Sequence, residues 1–125
     1  MQVATLRFSD AARVDTGRLN TICDQMGQAN GEAVICAAME DLAGLLQKAH
    51  SAWINCDMDA LHLTMRQVSG IAERIGLITL TDVARDVADL AVSHDDAGLA
   101  ATMARLTRLG EGSLIAIWDA QNISV

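Results

Sequence analysis

The residues of this chain whose types could do chemistry concentrate on one face of one predicted helix. At about 100° per residue, a helix over residues 57–75 brings five of them onto a strip beside its apolar stripe: His62, Arg66, Ser69, Gly70 and Glu73. A glycine within a helix costs about 1 kcal/mol relative to alanine, and it is tolerated best where another backbone must approach closely. The pattern alone favours a solvated helix face with a chance glycine. A surface that receives a partner is the alternative interpretation.

Standard catalytic motifs are absent from the sequence. There is no GxGxxG, no GxxxxGK[ST] and no GxSxG, so neither a phosphate-binding loop nor a nucleophile elbow is indicated. Helical bundles often hold two metal ions through paired Glu-x-x-His motifs, but no glutamate here is followed by a histidine three residues later. We therefore predict no catalytic residue, no metal site and no cofactor, and a conventional enzyme is disfavoured.

Charge and composition exclude further classes of function. Nine Lys and Arg stand against sixteen Asp and Glu, a net charge of −7, which argues against nucleic acid and anionic membranes as partners. No apolar run approaches the roughly 18–20 residues of a membrane span, and the first residues lack a signal-peptide pattern. The three cysteines form no CxxC motif and are expected to be buried free thiols. These observations favour a cytoplasmic protein.

Composition and apolar spacing predict a helical chain. The 125 residues include 21 Ala, 14 Leu and no Pro, and Ala and Leu are the best helix formers. Apolar residues recur at helical spacing in five segments: 15–26, 31–54, 57–75, 80–93 and 96–118. Asn30 is the expected N-cap of the second segment, and Thr79 with Asp82 resembles a capping box for the fourth. Gly110 and Gly112 leave the continuity of the fifth open.

The connections between the predicted helices determine the expected architecture. Loops of two to five residues join the last four helices, and such short loops favour antiparallel neighbours. We therefore expect an all-α protein, an up-down four-helix bundle with a short extra N-terminal helix. One domain over residues 1–125, with its core at about 13–119, accounts for the whole chain. The inward stripe of the second helix is expected to include Val34, Ala38 and Leu42.

Residues 59–76 are similar to the central motif of histidine-containing phosphotransfer (HPt) domains. That motif reads approximately A-L-x-x-x-A-H-x-L-K-G-S-x-x-x-x-G. The positions that agree with it are Ala60, Leu61, Val68, Gly70, Ile75 and Gly76. The order and lengths of the predicted helices also resemble the family over residues 13–119. The resemblance implies an HPt-like bundle that acts in two-component phosphorelay signalling, with a receiver domain or a histidine kinase as partner.

The sequence departs from the family pattern at the residues that carry phosphate. Arg66 stands where the family has its phospho-accepting histidine, Ser69 replaces a lysine, and Ile71 replaces a small residue. Phosphotransfer needs a neutral imidazole nitrogen as nucleophile, and arginine stays protonated. The resemblance therefore implies a degenerate domain, a non-phosphorylatable adaptor or regulator that docks a partner through the strip containing Arg66.

Two alternatives remain open. His62 lies four residues before Arg66, so a phosphoryl group on His62 could be held by the guanidinium, and the protein would be an active phosphotransfer protein. The other alternative is a helical bundle unrelated to phosphorelays, serving as a scaffold or dimerisation module. The sequence leaves the oligomeric state open.

Overall fold

A computed structural model describes residues 13–123 of the chain, and the side chains of residues 13–109. This part forms five helices: α1 (Thr16–Met26), α2 (Gln28–Ile54), α3 (Met58–Arg74), α4 (Ile78–Ser93) and α5 (Asp96–Ile123). Within the described range no strand is present, and one isolated β-bridge joins Val14 to Leu77. The prediction of an all-α protein is confirmed over residues 13–123. None of the described helices combines the length and apolarity needed to cross a membrane.

Two helix starts follow directly from capping chemistry. The Asp15 carboxylate accepts a hydrogen bond from the backbone N–H of Arg18 at 3.1 Å, and the Asp57 carboxylate accepts one from Ala60 at 3.2 Å. Each bond satisfies one of the free N–H groups in a first helical turn. The predicted beginnings of α1 and α3 are therefore confirmed, and so is the position of α3, which carries the strip.

The predicted beginnings of α2 and α4 are wrong by two or three residues. The break before α2 lies at Gly27, which has φ +85°, so Asn30 is inside α2 and its side chain donates to the Met26 carbonyl. The start of α4 is set by buried Leu77, whose carbonyl accepts from the N–H of Thr81. Thr79 is consequently within α4, so it is not an N-cap.

Helix α5 and the cysteines also differ from expectation. α5 continues through Gly110 and Gly112 to Ile123. Apolar spacing also places Ile117 in the inward stripe of this helix, but its side chain lies outside the described residues. The cysteines are unbridged, but Cys36 and Cys56 are exposed and Cys23 is half-buried. The expectation of buried thiols is therefore wrong. Cys56 lies in the turn after α2, and Cys36 directly follows buried Ile35 in α2.

The core is made by one face of each helix. α3 packs between α2 and α4, α4 packs on α5, α1 packs on α2, and α2 also contacts α5. The largest fully buried side chains are Ile35, Leu42, Leu61, Met65, Leu77, Leu80, Met103, Leu106 and Leu109. Apolar spacing predicts an inward stripe on α3 made of Met58, Leu61, Met65, Val68, Ala72 and Ile75, and all of these are buried except half-buried Met58. The stripe predicted for α5 is buried at its described members, Leu99, Met103, Leu106 and Leu109.

The inward face of α2 differs from the prediction near its start. Val34 is 40% exposed, whereas Ile35 is buried. A Cβ on Gly31 would lie 2.6 Å from the Cα of Cys23 in α1, so this glycine lets α1 pack directly on the α2 backbone. Because of that contact, Gly31 and Ile35 face inward. Val34 lies about 100° from Ile35 on the helix surface, so it faces away from the core.

The segment before α1 is bonded to the turn between α3 and α4. The N–H of Asp15 donates to the Gly76 carbonyl at 2.7 Å, and the N–H of Ile78 donates to Arg13 at 3.2 Å. Gly76 has φ +80°, and a Cβ there would lie 2.9 Å from the Asp15 carbonyl oxygen. Only glycine fits this turn without strain, so Gly76 fixes where α3 ends.

Candidate docking surface

The predicted strip on α3 divides between the two neighbouring helices. His62 and Glu73 contact α4: the His62 Nδ1 lies 2.8 Å from the Ala88 carbonyl oxygen, and Glu73 forms an ion pair with Arg85 at 3.0 Å. Arg66 and Gly70 instead line a groove between α2 and α3. The five residues are therefore on one side of the helix, as predicted, but they do not form one site.

Ser69 contributes nothing to the groove. Its hydroxyl donates to the Arg66 carbonyl at 2.9 Å, within the same helix, and its side chain is half-buried. The hydroxyl of Ser69 carries no charge, and its one donor is used inside α3. The cationic part of the strip is therefore Arg66.

The groove between α2 and α3 has a volume of about 820 Å³. Each helix contributes five lining residues, which are Glu40, Asp41, Gly44, Leu45 and Lys48 on α2, and Arg66, Gln67, Gly70, Ile71 and Arg74 on α3. Of these ten residues, only Arg66 and Gly70 could be predicted from the sequence. The α2 wall was missed because nothing in the sequence shows which face of α2 lies beside α3.

Three cations of the groove are available to a partner. Lys48, Arg66 and Arg74 are exposed, and none of them forms an ion pair or a side-chain hydrogen bond within the described part of the chain. The groove also contains the carboxylates of Glu40 and Asp41. It therefore carries more positive than negative charge, in a chain whose net charge is −7.

Two glycines of the groove have no packing role among the described residues. A Cβ on Gly44 or on Gly70 would meet no atom within 4 Å outside its own helix backbone, and neither residue has a positive φ. Each therefore weakens its helix by about 1 kcal/mol relative to alanine without a compensating contact inside the protein. Gly44 could have been noticed from the sequence as a second mid-helix glycine. The pair keeps the groove free of side chains at its middle.

A second, apolar section continues the groove toward α1. It has a volume of about 400 Å³ and shares Asp41, Ile71 and Arg74 with the first section. Met26 and Val34 line it and are 44% and 40% exposed. The surface therefore changes from cationic to apolar along its length.

The hydrogen bond of His62 determines which of its ring nitrogens is free. A carbonyl oxygen can only accept, so the Nδ1 of His62 carries the proton that is donated to Ala88. In the neutral ring, Nε2 then holds the lone pair and is the nitrogen that could act as a nucleophile or proton acceptor. Another histidine, His94, lies away from α3: it is the C-cap of α4, with φ +61°. No cluster of residues suited to bind a metal ion occurs within the described residues.

Comparisons with protein-family models, with curated proteins and with solved structures find no match to this chain. The groove, its free cations and the orientation of His62 are therefore the observations on which a functional assignment depends.

Proposed function

We propose that this protein is an HPt-like adaptor of two-component phosphorelay signalling, which docks a receiver domain or a histidine kinase without carrying phosphate at residue 66. The observation that carries the proposal is the guanidinium of Arg66 in the middle of α3, which is exposed above a groove and unpaired among the described side chains. The sequence resemblance places the phospho-accepting histidine of HPt domains at this position.

The helix connections support an HPt-like up-down bundle. One to three residues join successive helices, and connections this short favour antiparallel neighbours. The contact between α2 and α5 completes a ring of four helices, with α1 packed on α2. In this arrangement the outer face of α3 presents Arg66 to a partner.

An arginine at position 66 can bind an acidic partner but cannot accept and transfer a phosphoryl group. A guanidinium has no free lone pair for attack on phosphorus, and it remains protonated at ordinary pH. Its planar N–H groups can donate two parallel hydrogen bonds to one carboxylate. The resemblance implies a receiver domain whose phosphorylation pocket is rich in aspartate, so Arg66 would bind there in place of the phosphohistidine.

Reversing the charge of Arg66 tests the proposal. We expect Arg66→Glu to weaken binding of a cognate receiver domain by about tenfold or more, and we expect the wild-type affinity to fall as salt is raised. Arg105→Glu is the matched control, since Arg105 is exposed on α5, and it should bind like the wild type. Equal affinity of Arg66→Glu and wild type, measured by titration calorimetry, would contradict the docking model.

A second candidate function is favoured by the hydrogen bond of His62. In an active phosphotransfer protein, Nε2 of His62 would attack the phosphorus of a receiver's aspartyl phosphate. The bond from phosphorus to the aspartate oxygen would break and release the carboxylate, while the Nδ1 proton would remain bonded to Ala88. This candidate retains the same docking but gives the protein a phosphoryl group to carry.

Incubation with a phosphorylated receiver domain separates the two candidates. If His62 is the acceptor, acid-labile label appears on the wild type and on His50→Ala, and it disappears in His62→Ala. His50 is a suitable control because it is an exposed histidine on α2. A wild type that binds the receiver but takes up no label excludes the second candidate and agrees with the adaptor.

A further inference from the structure

The cations and glycines of the groove occur in the same order along α2 and α3, counted from the turn that joins the two helices. Lys48 lies six residues before the end of α2, and Arg66 lies eight residues after the start of α3. At 1.5 Å per residue, both are about 9–12 Å along their helices from the turn that joins them. Gly44 and Gly70 follow at about 15–18 Å. The two cations therefore mark the end near the turn, and the glycines mark the middle.

The far end of the groove is apolar. Asp41 and Arg74 lie beyond the glycines and line both sections, and Met26 and Val34 line only the apolar section. From Lys48 to Val34, α2 rises by about 21 Å, which corresponds to about four helical turns. An occupant of the whole groove must therefore be elongated, with different chemistry at its two ends.

We propose that the groove receives an amphipathic helix of an acidic partner. Carboxylates at one end of this helix bind Lys48 and Arg66. Small residues in its middle pack against Gly44 and Gly70. Apolar residues at its other end cover Met26 and Val34. This inference rests on the proposed function, because it names the partner element that the Arg66 surface receives.

The charges of the groove fix the direction of the docked helix. Glu40, Asp41 and Arg74 lie beyond the glycines as seen from the turn. Two carboxylates against one guanidinium leave that end negative, so it repels a carboxylate placed there. Lys48 and Arg66 are the cations nearer the turn, so the acidic end of the partner lies at that end. A helix placed in the opposite direction would bring its acidic residues to the apolar section and leave both cations unpaired.

The two glycines explain why the occupant is a helix that approaches closely. The distance between packed helices depends on the side chains at their contact, and here both walls lack a side chain at the same level. A Cβ at either position fills space that is open in the free protein. Alanine should therefore stabilise the free protein and weaken its complex.

The decisive variant is Gly44→Ala combined with Gly70→Ala. We expect its Tm to rise by about 3 °C for each alanine, because the new methyl groups meet nothing. We expect its affinity for the partner helix to fall by about tenfold or more, because packed interfaces do not tolerate added volume. Asn20→Ala, on the exposed face of α1, is the control that raises Tm without touching the groove, and it should bind like the wild type.

The probe is a stapled 15-residue helical peptide with Glu in its first two turns, Ala in the middle and Leu in its last turn. The wild type should bind it more tightly than the same peptide with Lys in place of Glu, as read by fluorescence anisotropy. A wild type that does not prefer the Glu peptide overturns the inference. So does a double-alanine variant that binds it as well as the wild type.

A receiver domain used as a second probe separates this inference from the proposed function. A receiver that binds wild type and the double-alanine variant equally contradicts the groove helix and leaves the adaptor function standing. If no receiver binds while the Glu peptide binds in the glycine-dependent way, the groove helix stands and the proposed function fails.

Discussion

Replacing Gly76 by alanine is expected to lower the free energy of unfolding by about 2–4 kcal/mol. Its φ of +80° is unfavourable for a residue with a Cβ, and that Cβ would lie 2.9 Å from the carbonyl oxygen of Asp15. The Asp15–Gly76 hydrogen bond of 2.7 Å would have to lengthen as the turn moved. Urea unfolding followed by circular dichroism measures the loss.

Gly70→Ala is the matched control for this substitution. Gly70 lies six residues earlier, inside α3, and has no positive φ; among the described residues its Cβ would meet no atom within 4 Å outside its own helix backbone. The same chemical change there should raise the free energy of unfolding by up to about 1 kcal/mol. A Gly76→Ala substitution that raised the free energy of unfolding, as Gly70→Ala is expected to do, would show that the turn after α3 is not built as described.

Replacing Leu61 by alanine is expected to cost about 3–4 kcal/mol, a large part of the 5–15 kcal/mol typical of a small domain. Leu61 is 0% exposed on the inner face of α3, so the shorter side chain leaves a cavity in the core. Leu63, two residues later, is 64% exposed. Leu63→Ala should therefore change the unfolding free energy by less than about 0.5 kcal/mol.

This pair of substitutions also tests the orientation of α3. At about 100° per residue, Arg66 lies about 140° from Leu61 and about 60° from Leu63 on the helix surface. If Leu61 faces the core and Leu63 faces solvent, Arg66 must therefore lie on the outer side of α3. Equal losses at Leu61 and Leu63, in the same urea titration, would contradict that orientation and remove the basis of the docking surface.

The orientation of α3 is the part of the candidate site that local sequence could predict. Asp57 caps the helix, and buried Leu61, Met65, Val68 and Ala72 follow at helical spacing. Such spacing fixes which side of a single helix faces the core. The strip was therefore placed on the correct side of α3 without knowledge of the neighbouring helices.

The division of the strip and the second wall of the groove required tertiary structure. His62 and Arg66 are neighbours on α3, but the first bonds to α4 and the second lines the groove with α2. Spacing along one helix does not say which neighbour lies on each flank. Gly44 and Lys48 were missed for the same reason, and Val34 was misplaced because the close contact of Gly31 with Cys23 turns α2.

We propose that a signalling partner docks on the α2–α3 side of the bundle around Arg66. Titration of the isotope-labelled chain with a cognate receiver domain, followed by amide chemical shifts, tests it directly. We predict that the largest shift changes occur at residues 66–74 of α3 and 40–48 of α2, and that they weaken at high salt. Changes confined to α4 and α5, or no change with any receiver domain, would contradict the claim.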